Sequence, residues 1–162
     1  MHHIVYPDQP DPLSKVKGYL AEFNRVLKPG GVLGINTSTP ANITCFWWVA
    51  GTGAALERQR KHFPELNTVK NMLKSAGFND ITDTTHSKPL LGDMHLQYEK
   101  CFTEEYRKAD SGWAILNDEE LKVTLERMKR ILGSEETRKQ FDDEQRRLLS
   151  DVGITTQIFA RK

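Results

Sequence analysis

Glu22-Phe23-Asn24-Arg25-Val26-Leu27-Lys28-Pro29-Gly30-Gly31-Val32-Leu33 decides how the rest of the chain is read. Its first half closes an amphipathic helix. Leu13, Val16, Leu20, Phe23 and Leu27 recur at alternating spacings of three and four, leaving Lys15, Lys17, Glu22 and Arg25 to water. Asp11 is the expected cap and Pro12 the first-turn residue. Lys28-Pro29-Gly30-Gly31 ends the helix, because proline cannot continue it and glycine permits the reversal. Val32-Leu33-Gly34-Ile35-Asn36 then reads as a short buried parallel strand, since it has little polar alternation and is bounded by turn residues.

The same helix-then-strand order returns downstream. Leu66, Val69, Leu73 and Ala76 form a second stripe, capped by Gly77, and Phe78 to Thr85 ends in β-branched residues. Two such units imply an α/β arrangement with helices packed on a sheet. From about 94 to 152 the chain turns helical and more charged. Asn117 and Glu120 make a capping box ahead of Leu121, Leu125, Met128 and Leu132, with Gly133 as the stop. Ser134 opens another helix, with Phe141, Leu148 and Val152 on its inner side, and Ile154 to Arg161 is a closing strand. The expectation is one domain over residues 1–162 with about three strands, flanking helices and a helical insertion.

Composition narrows the partners. The chain has 162 residues, with 23 Lys and Arg against 22 Asp and Glu. So even a balance argues against nucleic acid or an anionic membrane surface as the main partner. No apolar run approaches the roughly 20 residues of a membrane-spanning helix, and Met1 to Tyr6 has no secretory pattern. Cys45 and Cys101 stand far apart and in no metal-ligand spacing, which reads as reduced thiols with no metal site. A soluble, cytoplasmic protein is expected.

The segment from Arg25 to Gly31, "RVLKPGG", resembles the joint between the fourth helix and fifth strand of class I S-adenosylmethionine-dependent methyltransferases. Leu73 to Phe78, ending in "AGF", is similar to that family's next helix-to-strand joint. His2-His3-Ile4 resembles the histidine pair that often follows its fourth strand. The tail around Arg107, Asp110-Ser111-Gly112-Trp113 and Val152 to Thr156 is similar to an extension in some small-molecule members. In order, these elements cover nearly the whole chain. They imply the C-terminal half of a Rossmann-like methyltransferase sheet, with the last strand placed between the other two.

The family's methyl donor rests on a glycine-rich turn after the first strand and on a carboxylate ending the second. If the match holds, Met1 stands past the fourth strand and both features are absent. Cys45 to Leu56 offers one rival, a strand, a Gly51-Thr52-Gly53 loop and a helix. It has no acidic residue at the strand end, so a helical lid is the preferred reading.

The resemblance puts the acceptor pocket at the loop after the Val32 strand. Candidate acceptor-binding residues are Asn36, Thr37, Trp47, Trp48, His86, Arg107, Asp110 and Trp113. His2 and His3 would stand only at the rim of the donor site, and no catalytic residue is assigned. The expected protein is a truncated methyltransferase-like chain for a small-molecule acceptor. S-adenosylmethionine is its family cofactor but is not expected to bind this chain alone, so the isolated chain is expected to be inactive. A non-enzymatic binding module, or an enzyme completed by a partner chain, is the alternative. The Val32–Asn36 strand, left without its neighbour, is expected to pair with a second copy or a partner.

Overall fold

The computed structural model describes residues 2–49, 53–88 and 95–162. Helix α1 spans Ser14–Val26, two residues later than its sequence suggests. The Asp11 carboxylate accepts from the Leu13 N–H at 3.2 Å and pairs with Lys17 Nζ at 2.9 Å, so residues 11–13 form a turn ahead of the helix. Val16 and Leu20 are buried. Phe23, expected on the same stripe, is 42% exposed and stacks on Tyr19 with ring centroids 6.5 Å apart. Half-buried Asn24 is turned toward Gly77 in its place.

Strand β1 (Val32–Thr37) does not pair as a parallel strand. It runs antiparallel to β3 (Thr155–Arg161), in a register that sets Val32 opposite Arg161 and Thr37 opposite Thr156. Strand β2 (Asn79–His86) pairs antiparallel with the other side of β3, giving the sheet order β1-β3-β2. The last strand therefore lies between the other two, as expected. Nor is β1 fully buried. Leu33 and Ile35 face the core while Val32, Gly34 and Asn36 are exposed, because helices cover only one face of the sheet.

That covering layer is α1 together with α3 (Leu66–Ser75). Val16, Leu20, Val69, Leu73 and Phe78 pack on Ile158 and Ala160 of β3. Burying each large apolar side chain contributes roughly 1.5–3 kcal/mol. The joints into both outer strands turn on left-handed glycines, Gly30 at φ 77° and Gly77 at φ 89°, a conformation other residues reach only with strain.

The remaining helices are α2 (Gly53–Arg60), α4 (Glu104–Lys108), α5 (Asp118–Ile131) and α6 (Glu135–Asp151). Among the described residues the molecule is thus a mixed α/β fold of six helices and a small three-stranded antiparallel sheet. Capping follows the sequence. Glu120 N–H donates to Asn117 Oδ1 at 2.9 Å, and Asn117 N–H returns the bond to Glu120 Oε2 at 3.0 Å. Thr137 N–H donates to Ser134 Oγ at 3.2 Å. On α6 the deeper leucine is Leu149, not Leu148, beside Phe141 and Gln145. Cys45 to Val49, where the rival reading needed a strand, is a 3-10 turn running into further turns. Ala50 to Thr52 and Met94 lie outside the described residues.

One side chain braces the sheet to the helical layer. Asn42 Oδ1 accepts from the Thr39 N–H (2.8 Å), the Thr39 hydroxyl (2.9 Å) and the Thr156 hydroxyl (3.1 Å). Its Nδ2 donates to Gly153 O at 2.9 Å and Val152 O at 3.3 Å, and Ser38 Oγ donates to Ile154 O at 2.8 Å. Gly153, at φ 74°, leaves no room for a side chain, since a Cβ there would lie 2.5 Å from Thr85 Cγ2. Replacing Asn42 by alanine strands several buried partners, and urea unfolding should show a loss of about 2–4 kcal/mol. Gly153→Ala should cost about 2 kcal/mol or more in the same measurement, from contact and strain together.

Candidate functional site

A cleft of about 510 Å³ opens between the N-terminal segment, the end of α2 and the turn at Ser111 to Ile115. Each wall is held from behind. Val5 is buried in the sheet core, and backbone bonds from Tyr6 N to Pro12 O (3.2 Å) and Gln9 N to Tyr6 O (3.1 Å) fold the segment back on itself. Lys15 Nζ sits 4.3 Å from the centroid of the Tyr6 ring. Arg58 of α2 pairs with Glu120 and donates to Ile115 O at 2.9 Å, clamping α2 to the facing turn and to the start of α5. That turn is an Asx turn, with Gly112 N–H donating to Asp110 Oδ1 at 2.6 Å.

The cleft presents His3, Tyr6, Asp8, Gln59, His62 and Ser111. Val5, Pro7, Ala114 and Ile115 supply apolar lining. A concave surface with a few convergent polar groups suits a small, partly apolar molecule held by hydrogen bonds. Among the described residues no three His, Cys, Asp or Glu side chains cluster as a metal site.

Of the residues singled out from sequence, His3 lies at this cleft. The side chain of His2 is outside the described residues. Asn36 is exposed on the uncovered sheet face, and buried Thr37 donates from Oγ1 to Ser38 O at 3.3 Å. His86 Nε2 is 3.1 Å from Gln157 Oε1 on β3. Arg107 Nη1 donates to Cys101 O at 2.6 Å. Asp110 shapes the Ser111 wall without entering it, and burial raises its carboxyl pKa above the ordinary range.

Trp47, Trp48 and Trp113 form an aromatic core with Tyr98, Met128 and Phe141 rather than a cavity wall. Trp48 stacks on Trp113 at 6.0 Å and meets Trp47 edge-on at 5.2 Å. Trp47 Nε1 donates to His95 O at 2.9 Å, whereas Trp48 Nε1, Trp113 Nε1 and His95 Nε2 have no partner among the described residues. Tyr6, Gln59, His62 and Ser111 were not foreseen as site residues. Ser111 sat inside the quoted tail, but nothing along the chain brings position 6, 59 and 111 together.

The residues present do not fit a methyl-donor site. Among the described residues, neither the turn after β1, at Asn36-Thr37, nor the residues directly after His86 of β2 carry a carboxylate or a glycine-rich turn. Gly53 begins α2, and its neighbourhood is empty within 4 Å of where a Cβ would stand. Compared with known proteins, the chain matches no family model, no curated protein and no solved structure.

Buried His95, packed against Trp48, should make the fold acid-sensitive. It is 1% exposed, its ring lies 5.6 Å from that of Trp48, and burial pushes its pKa down from 6.5 to about 4. Folding therefore favours the neutral ring. This contribution is intact above pH 6.5 and is lost as pH falls toward 4, at up to about 1.4 kcal/mol per pH unit. Urea unfolding at a series of pH values should show this slope, and His95→Phe should remove roughly 2–3 kcal/mol of it across the window.

Proposed function

We propose that these residues form the acceptor-side half of a class I S-adenosylmethionine-dependent methyltransferase fold. On their own they bind a small, partly apolar molecule and do not transfer a methyl group. The observation that carries this reading is the sheet. Its closing strand runs antiparallel between two others, each entered through one of the two joints quoted above, at Gly30 and Gly77. That order follows from the resemblance, and local propensity alone does not require it.

Chemistry argues against an active isolated chain. Methyl transfer needs donor and acceptor held in line, and the sulfonium is already a good leaving group, so the fold's main task is alignment. With the donor-binding features absent from these residues, the cleft is left with recognition of the acceptor alone. The free edge of β1 favours one second reading, in which another polypeptide supplies the donor half and the cleft serves the completed enzyme. No helix among the described residues is long and apolar enough to cross a membrane.

Calorimetry with S-adenosylmethionine should give no binding heat with the isolated chain, and micromolar affinity would overturn the proposal. Thermal shift against small aromatic alcohols, amines and acids should find stabilising molecules. At 100 times Kd such a ligand adds about 2.7 kcal/mol, or several degrees in Tm. Tyr6→Ala and His62→Ala should abolish those shifts while moving the ligand-free Tm little. Ligands that still stabilise both variants would place recognition elsewhere.

A further inference from the structure

Among the described residues the sheet has two free edges, and only one is guarded. β2 carries a register irregularity between Asn79 and Thr82, Asp80 at φ 44°, and the Lys70–Asp83 ion pair. Bulges and charges of this kind prevent edge pairing. β1 reads Val32-Leu33-Gly34-Ile35-Asn36-Thr37, with no charge, proline or bulge. We propose that β1 pairs with β1 of a second copy, antiparallel about a two-fold axis at Gly34, to make a continuous six-stranded sheet.

The register sets the geometry. Gly31 O accepts from Lys162 N–H at 2.9 Å, so by antiparallel alternation Leu33, Ile35 and Thr37 bond inward to β3. Val32, Gly34 and Asn36 then aim their N–H and C=O groups at the free edge. No loop or side-chain hydrogen bond among the described residues ends on those backbone groups. Centring two copies on Gly34 pairs Val32 of one with Asn36 of the other and makes roughly six new backbone bonds. Half-buried Leu33 then meets Ile35 of the second copy on the helix-covered face, so each completes the other's burial. On the open face the Phe159 ring covers Gly34, where a Cβ would lie 3.4 Å from it.

Helix α1, which packs with β1 in the same core, carries a second apolar strip. A groove on one flank of α1, at Lys17 and Ala21, is shared with Thr68, Met72 and Ala76 of the α3 side. Tyr19 (49% exposed), Phe23 (42%) and Val26 (58%) fall by helical spacing on the other flank, away from α3. A two-fold axis normal to the sheet brings these strips together as an antiparallel α1 pair. Strand and helix are each about 20 Å long, which gives an interface near the low end of the standard size. A net charge of +1 sets no barrier to self-association. The partner is a second copy because the surface is self-complementary, as a two-fold interface requires. This does not rest on the methyltransferase reading, since only the sheet edges and α1 enter it.

Sedimentation velocity up to about 100 μM protein tests it. The mass should rise from 18.6 kDa toward twice that value with concentration. Phe23→Glu combined with Val26→Glu changes only exposed positions and should keep the chain monomeric, as should Val32→Pro, which removes an outward N–H at the strand's first residue. Mixing Val32→Cys with Asn36→Cys should give a reducible covalent dimer that neither variant forms alone, because Cys45 and Cys101 are buried. A monomer at every concentration would overturn the proposal. So would a dimer that survives both surface variants, or cross-linking by either cysteine variant alone.

Discussion

Every hydrogen bond of the sheet passes through its last strand. β3 pairs with β1 on one side and β2 on the other, and the outer two strands share no ladder. Val32 must wait for Arg161, so β1 joins the sheet only when parts of the sequence that stand far apart meet. Such pairing carries the full loop-closure cost before any contact offsets it, and the core of α1 and α3 on Ile158 and Ala160 supplies the return. The C-terminal lysine reinforces the closure, with Lys162 Nζ donating to Leu27 O at 2.8 Å.

The loop after β1 has become part of this bracing. Ser38 and Asn42 spend their polar groups on the α6–β3 joint, where the carbonyls of Val152, Gly153 and Ile154 need partners at a buried helix end, and Thr39 donates to Asn42 to hold it there. The same chemistry that suggests a polar pocket also suits a structural cross-brace. Which of the two applies depends on what the loop faces, and here it faces the backbone of the α6–β3 joint.

The open space in the molecule is displaced accordingly. The three tryptophans pack on one another and on Tyr98, while concavity arises where the N-terminal turn, α2 and the Ser111 turn fail to fill the space between two cores. A small cluster of Cys45, Leu149 and Ile154 extends the aromatic core through the shared side chains Phe46 and Leu96. The uncovered β1 edge is a separate property of the sheet, with its own consequence for assembly.

Sequence alone determined the punctuation and much of the local structure. Pro29-Gly30-Gly31, Ala76-Gly77, the Asn117–Glu120 box and the Ser134 cap act over a few residues, so their outcome is written locally. The α/β class followed from the order of these signals, whereas the place of the closing strand was implied only by the family resemblance. Tertiary structure decided the rest. Whether an apolar residue is core depends on which helix flank or sheet face finds a partner. Phe23 kept its helical spacing and lost its burial because α3 packs on the opposite flank of α1. β1 has the composition of a buried strand, yet it is covered on one face because α1 and α3 lie on the same side. The cleft was illegible for the same reason: Tyr6, Gln59 and Ser111 meet only through the packing of three separate elements.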